Sequence, residues 1–211
     1  MATKIILTRH GHVEGIAPQR FRGREDMPLS KLGYAQATAL AERIAATWRP
    51  SVVYTSPLAR CVATGAAIAA ACGVTSKALE TLNDIDYGDW QWKTHEEVEA
   101  AFPELYERWH KTPQLCRFPN GESLQDLVAR AGDVLRYVLR EYREQALVLV
   151  AHDSVNRALF MHVLEQPLSA YWRIVFEPCG ISEIDFVQDT PSVRRVNELT
   201  HLDNIALESP L

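Results

Sequence analysis

The chain has 211 residues, 47% of them hydrophobic and 23% charged, with a formal net charge of -5 at neutral pH. That is ordinary globular composition with length for a substantial core, and the acidic balance argues against nucleic acid or an anionic membrane as the main partner, since both need a basic field. No apolar stretch reaches spanning length and Met1 leads straight into a strand-like run, so a soluble, cytoplasmic protein acting on small molecules is expected.

Lys4 to His10, KIILTRH, is a short apolar run that ends on an arginine and a histidine before Gly11, as a buried strand does when its last side chains emerge at a sheet rim. After an irregular loop through Pro28, Ser30 is placed to cap a helix carrying Leu32, Ala35, Ala39, Leu40, Ile44 and Trp48 near helical spacing. Ser51 to Tyr54 reads as a second buried strand. Ser56 at the N-cap and Pro57 at the first helical position then predict a helix that runs to Cys72 and stops at Gly73. Lys77 to Leu82 is a weaker strand candidate.

From about residue 92 to 121 the composition turns charged and aromatic. Thr94 and Glu97 are spaced as a capping box and Pro103 interrupts the ensuing helix, so a helical cap insertion is expected there within a single domain. A long helix from Ser123 has Leu124, Leu127, Val128, Ala131, Val134, Leu135, Val138 and Leu139 on one face. It leads to a second apolar run ending in histidine, Ala146 to His152 (ALVLVAH), and to another helix with Val155, Leu159 and Val163. Ile181 to Val187 and Val193 to Leu199 read as edge strands forming an antiparallel pair. Cys61, Cys72, Cys116 and Cys179 are scattered without a CxxC pair and read as core thiols.

Strands alternating with helices imply an α/β fold with a mainly parallel sheet and helices on both faces. Ligands bind outside the carboxyl ends of such strands, which gives His10, Arg60 and His152 a common address, with a helix N-terminus nearby to favour an anion. Two histidines and two arginines without a metal motif suit phosphoryl chemistry. A neutral imidazole attacks phosphorus, guanidinium groups grip the equatorial oxygens, and neighbouring cations keep the His10 nitrogen unprotonated. Phosphomonoester hydrolysis calls for rate accelerations of up to about 10²¹, so dense fixed positive charge is expected.

LTRHG at Leu7 to Gly11, TSPLARCVAT at Thr55 to Thr64 and VAHDSVNRAL at Val150 to Leu159 resemble the signature segments of the histidine phosphatase superfamily, the phosphoglycerate mutase-like family (branch 1). FRGREDMPLSKLGYAQA, LNDIDYGDW, FPNGESLQDLVAR and the late His201-Leu202 extend the resemblance over nearly the whole chain. It implies a three-layer sandwich, with His10 as the phosphorylated nucleophile, Arg9 and Arg60 binding the phosphoryl group, and His152 as a second, protonated imidazole. The family's acid, usually glutamate, aligns with Asp84, with Asp86 and Asp89 as neighbouring rivals. No cofactor or metal is implied, and the partner is a small phosphorylated metabolite; a homodimer is compatible with the sequence.

Departures from the family pattern bear on the substrate. His12 and Val13 follow RHG, and Ile16 stands where relatives place an asparagine. Arg22 beside Gly23 is a candidate substrate contact, the glycine allowing backbone to approach phosphate. Arg20 and Arg24 fit either a solvated loop or recognition of a second anion. Asp153 stands where relatives carry glycine, and either orients His152, meets a substrate hydroxyl or amine, or caps a helix. Glu122 and Ser123 fit helix initiation. Trp90, Trp92 and Trp109 fit a pocket wall or a core, while His95, His110, His162 and His201 read as surface or packing residues. A phosphatase is the favoured activity, with a phosphomutase and a metal-dependent hydrolase built on the His10 and His12 pair as alternatives. Phosphoserine, phosphoglycerate, ribazole phosphate and sugar phosphates all remain open as substrates.

Overall fold

A computed structural model describes residues 2–14 and 19–205; Ile16 lies outside the described residues. The strands are β1 (Thr3–Arg9), β2 (Val53–Thr55), β3 (Ser76–Ala78), β4 (Ala146–Ala151), β5 (Ile181–Val187) and β6 (Thr190–Glu198). They form one six-stranded sheet in the order β3-β2-β4-β1-β5-β6. The pairs among β1, β2, β3 and β4 are parallel, and β5 runs antiparallel to both β1 and β6. The helices are α1 (Lys31–Thr47), α2 (Ala59–Cys72), α3 (His95–Ala101), α4 (Pro103–Lys111), α5 (Leu124–Glu141) and α6 (Asp153–Val163).

Successive strand side chains point to opposite faces, and both faces are covered. Ile6, Val148 and Val150 pack with Leu40 and Ile44 of α1 and Cys61 and Ile68 of α2. Ile5, Leu7, Leu147 and Leu149 pack with Leu127, Val134 and Val138 of α5 and Val155 and Leu159 of α6. Two buried faces explain why β1 and β4 read as unbroken apolar runs instead of alternating ones. The result is a three-layer sandwich.

Local signals set most helix ends. The Ser30 hydroxyl accepts from Gly33 N at 3.0 Å to open α1, and capping boxes form at Thr94 with Glu97 and at Ser123 with Asp126. Pro103 occupies the first turn of α4, where its missing N–H costs nothing. The start of α2 differs from expectation. Ser56 still donates its N–H to Val150 O at 3.0 Å as an extension of the sheet, so the N-cap is Leu58 and no local side chain caps the helix. Asp26 supplies that cap from a distance, accepting from Ala59 N at 2.7 Å. The helix N-terminus expected to attract a substrate anion therefore already holds a carboxylate.

Of the two final strands expected at an edge, β5 is interior, between β1 and β6, and β6 is the edge; β3 ends the other side of the sheet. β3 is shorter than expected because a 3-10 turn over Glu80–Leu82 ends it. Among the described residues no helix is long and apolar enough to cross a membrane.

Candidate active site

β1 and β4 are parallel neighbours with Arg9 opposite Ala151, so the next residue of each, His10 and His152, leaves the sheet beside the other. His10 N donates to Ala151 O at 3.0 Å, and the two rings meet edge to face with centroids 5.2 Å apart. Gly11 is required here by packing, since a Cβ would lie 2.6 Å from Gly33 O. Arg60, in the first turn of α2, is 1% exposed and reaches both rings.

The hydrogen bonds settle the His10 tautomer. His10 Nδ1 lies 2.7 Å from Gly11 O, a carbonyl that only accepts, so Nδ1 carries the proton and Nε2 the lone pair. Arg60 Nε donates to that lone pair at 3.2 Å. His152 Nδ1 lies 3.3 Å from a second Arg60 nitrogen, a donor, and 3.5 Å from Asp84 Oδ2, an acceptor. Its Nε2 lies 3.5 Å from Cys61 Sγ. Burial first, then His152, Arg60 and Arg9, hold His10 well below the usual histidine range. Burial, followed by Arg60, Arg9, Arg130 and Arg22, does the same to His152. In the ligand-free site, burial and the guanidinium charges therefore favour the neutral form of His152. On lowering the pH, NMR signals of both imidazoles should keep their neutral-form positions past 6.5 and move only well below it.

Asp84 is the acidic residue of its segment that reaches the site. Its Oδ2 lies 3.4 Å from Arg60 and 3.5 Å from His152 Nδ1. Its Oδ1 accepts from Ile85 N at 2.8 Å and from the Ser154 hydroxyl. Asp86 instead accepts from Gly88 N and pairs with Arg24, and Asp89 accepts from Asn120. The segment is clamped from behind by Arg130, which donates to Thr81 O, Asn83 O and Asp84 O and binds Glu122. Glu122 also accepts from Asp86 N and Arg24, so Glu122 and Arg24 tie loops together and do not face the cavity.

Arg9 donates to Phe176 O at 2.8 Å and has a buried Nε without a partner. The Arg22 side chain makes no hydrogen bond or ion pair among the described residues, and burial, then the Arg9 charge, lowers its pKa. Gly23 has φ +48° and its Cβ would meet Ile85 O at 2.9 Å; its carbonyl accepts from Arg60 at 2.8 Å. The glycine thus lets the loop close on Arg60 and the Asp84 segment. Asp153 is not the helix cap, which is His152. Its Oδ2 pairs with Arg157 at 2.9 Å and its Oδ1 accepts from Phe176 N at 3.1 Å, which holds the loop whose carbonyl anchors Arg9.

Arg9, His10, Arg22, Gly23, Arg60, Asp84, His152 and Asp153 all line one cavity of about 440 Å³. Sequence reasoning missed Ser154, Arg157, Tyr87, Tyr171 and Trp172, and it set aside His95 and His110, all of which share that lining. The i,i+4 spacing of Asp153 and Arg157 was a readable signal; nothing local marked the others. Trp109 lines the cavity, Trp90 is buried in the core, and Trp92 lies outside under Arg20. The His10 and His12 pair does not converge, because His12 Nδ1 is 2.7 Å from Ser30 Oγ and His12 is not in the lining. Among the described residues no group of three His, Cys, Asp or Glu side chains is placed to hold a metal ion.

A doubly covered α/β sheet, with two neutral imidazoles and converging guanidinium groups at the carboxyl ends of its strands, defines an enzyme class that handles tetrahedral anions. The profile of the histidine phosphatase superfamily (branch 1) matches residues 5–199, and the chain belongs to that superfamily as one of its phosphatases. It is 30% identical over 206 residues to "Phosphoserine phosphatase 1" of Hydrogenobacter thermophilus, covering 98% of this chain and 97% of the relative. It is 32% identical over 215 residues to the "Probable phosphoglycerate mutase GpmB" of an Enterobacter species, covering 97% of each. Among solved structures it resembles Bacillus stearothermophilus YhfR with a TM-score of 0.91 and 25% identity, over 96% of this chain and 100% of that one.

Proposed function

We propose that this phosphatase is a metal-independent phosphomonoesterase that acts on a small phosphorylated metabolite through a phosphohistidine at His10. The observation that carries the reading is the His10 ring, whose Nδ1 proton is held by Gly11 O so that the Nε2 lone pair is presented beside Arg60. In the first step Nε2 forms a bond to phosphorus while the ester oxygen leaves, taking a proton from Asp84. In the second, Asp84 takes a proton from water, the hydroxide oxygen bonds to phosphorus, and His10 departs as a neutral imidazole. Arg9, Arg22 and Arg60 hold the equatorial oxygens. His152, whose proton affinity is lowered by burial and the guanidinium charges in the free protein, gains a proton more readily once the arriving anion offsets those charges, and then donates to a phosphoryl oxygen.

The phosphoserine phosphatase relative supports a small metabolite as substrate. The mutase name of the GpmB relative keeps transfer to a second hydroxyl as the alternative acceptor chemistry. A cavity of about 440 Å³ has room for water beside the ester, which favours hydrolysis. The test is phosphate release with a strong chelator present, together with Asp84→Asn. Release should persist, and the variant should slow alkyl phosphates by about 10²-fold or more while sparing nitrophenyl phosphate, whose leaving group needs no proton. Loss of activity on chelation would overturn the metal-independent reading.

A further inference from the structure

We propose that the substrate is the phosphomonoester of an uncharged alcohol that carries a flat ring. This rests on the phosphatase reading above and narrows it. The first argument is charge. Arginines 9, 20, 22, 60 and 157 line the cavity. Arg157 pairs with Asp153 at 2.9 Å and Arg20 with Glu97 at 3.8 Å. Arg9 and Arg22 have no carboxylate within ion-pair distance among the described residues, and Arg60, beside His10 Nε2, joins them on the phosphoryl group. These three cations are taken up by that group, which carries about -1.5 to -2 at neutral pH. A carboxylate or second phosphate on the alcohol would find no unpaired cation there. An ammonium would find no unpaired carboxylate, since Asp84 and Asp153, the carboxylates of the lining, are both engaged. Either charge would leave water without compensation.

The second argument is shape and surface. At 440 Å³ the cavity equals about fifteen water volumes of ~30 Å³, far more than a phosphoryl group fills. Besides the imidazoles and Arg60 its walls include the rings of Phe21, Tyr87, Trp109, Tyr171, Trp172 and His110. Trp172 is set before any ligand arrives: its indole N–H donates to Trp109 O at 2.9 Å, Arg157 lies 5.0 Å from its ring, and His110 stacks on it at 5.9 Å. It is nevertheless 38% exposed. A rigid indole with uncovered surface binds a flat apolar group with little loss of side-chain entropy.

The experiment compares kcat/KM for benzyl phosphate, phosphoserine and 3-phosphoglycerate, all alkyl esters, in the unmodified protein and in Trp172→Ala and Trp172→Phe. Benzyl phosphate should be preferred at least about tenfold over each of the others, Trp172→Ala should erase most of that preference, and Trp172→Phe should keep part of it. If phosphoserine or 3-phosphoglycerate is turned over as well as benzyl phosphate, the inference is overturned while the phosphatase reading stands. If Trp172→Ala fails to fold, the ratio in the unmodified protein and in Trp172→Phe decides. If no ester releases phosphate in a His10-dependent way, the phosphatase reading fails and this inference falls with it.

Discussion

His10→Ala should abolish turnover by more than about 10⁴-fold, on the scale of losing a covalent nucleophile, and should leave no phosphoenzyme detectable. The ring is 4% exposed and sits at the end of a central strand, so loss of fold is the competing explanation. The geometry separates the two. Without the imidazole, Arg60 still donates to Gly23 O at 2.8 Å and Glu25 O at 2.6 Å, and Gly11 N still donates to Thr64 Oγ1 at 3.1 Å. The rim therefore keeps its ties, and the variant should melt within a few degrees of the parent. Alkaline-quench mass spectrometry of both proteins after mixing with substrate is the check. A phosphoryl adduct in His10→Ala, or full turnover, would remove the nucleophile from the mechanism.

Arg60→Met should cost about 3–4 kcal/mol of transition-state stabilisation, a loss of roughly 10²–10³ in kcat/KM, as when a preorganised donor to a developing anion is removed. One guanidinium touches both imidazoles, the acidic residue and two loop carbonyls. Its loss should therefore also change the imidazoles' titration. Arg60 is among the causes that lower both His10 and His152, so both should titrate closer to the ordinary histidine value, though burial keeps them below it. Arg60→Lys restores a point charge but not the fork that reaches two rings at once. It should recover part of the charge effect on titration and little of the rate. Unchanged kcat/KM in Arg60→Met would mean that the phosphoryl group is held elsewhere.

The legible parts of the fold are those encoded within a few residues. Ser30, Thr94 with Glu97, Pro103 and Ser123 mark helix starts because a cap is a contact between near neighbours in the chain. Ser56 and Pro57 carry the same local pattern and mislead, since Ser56 is held in the sheet by Val150 and the true cap comes from Asp26, 33 positions away. Asp84 was distinguishable from Asp86 and Asp89 only by the family resemblance. Its neighbours, Ser154 and Arg130, lie 70 and 46 positions away. The downward pull on the His152 pKa was illegible for a similar reason, because burial and the convergence of four arginines arise only on folding.

By itself, the amino-acid order determined that two buried strands would each finish in a histidine and that parallel pairing would bring those ends to one rim, because apolar runs, helix caps and strand spacing are short-range. Only the tertiary structure decided what surrounds the pair. The wall that joins Trp109 to Trp172 brings together positions 63 apart, and Asp153, which lines the cavity, also ties α6 to the Arg9 loop. Such contacts depend on how whole elements pack, and no local period records which distant side chains that packing will bring into contact.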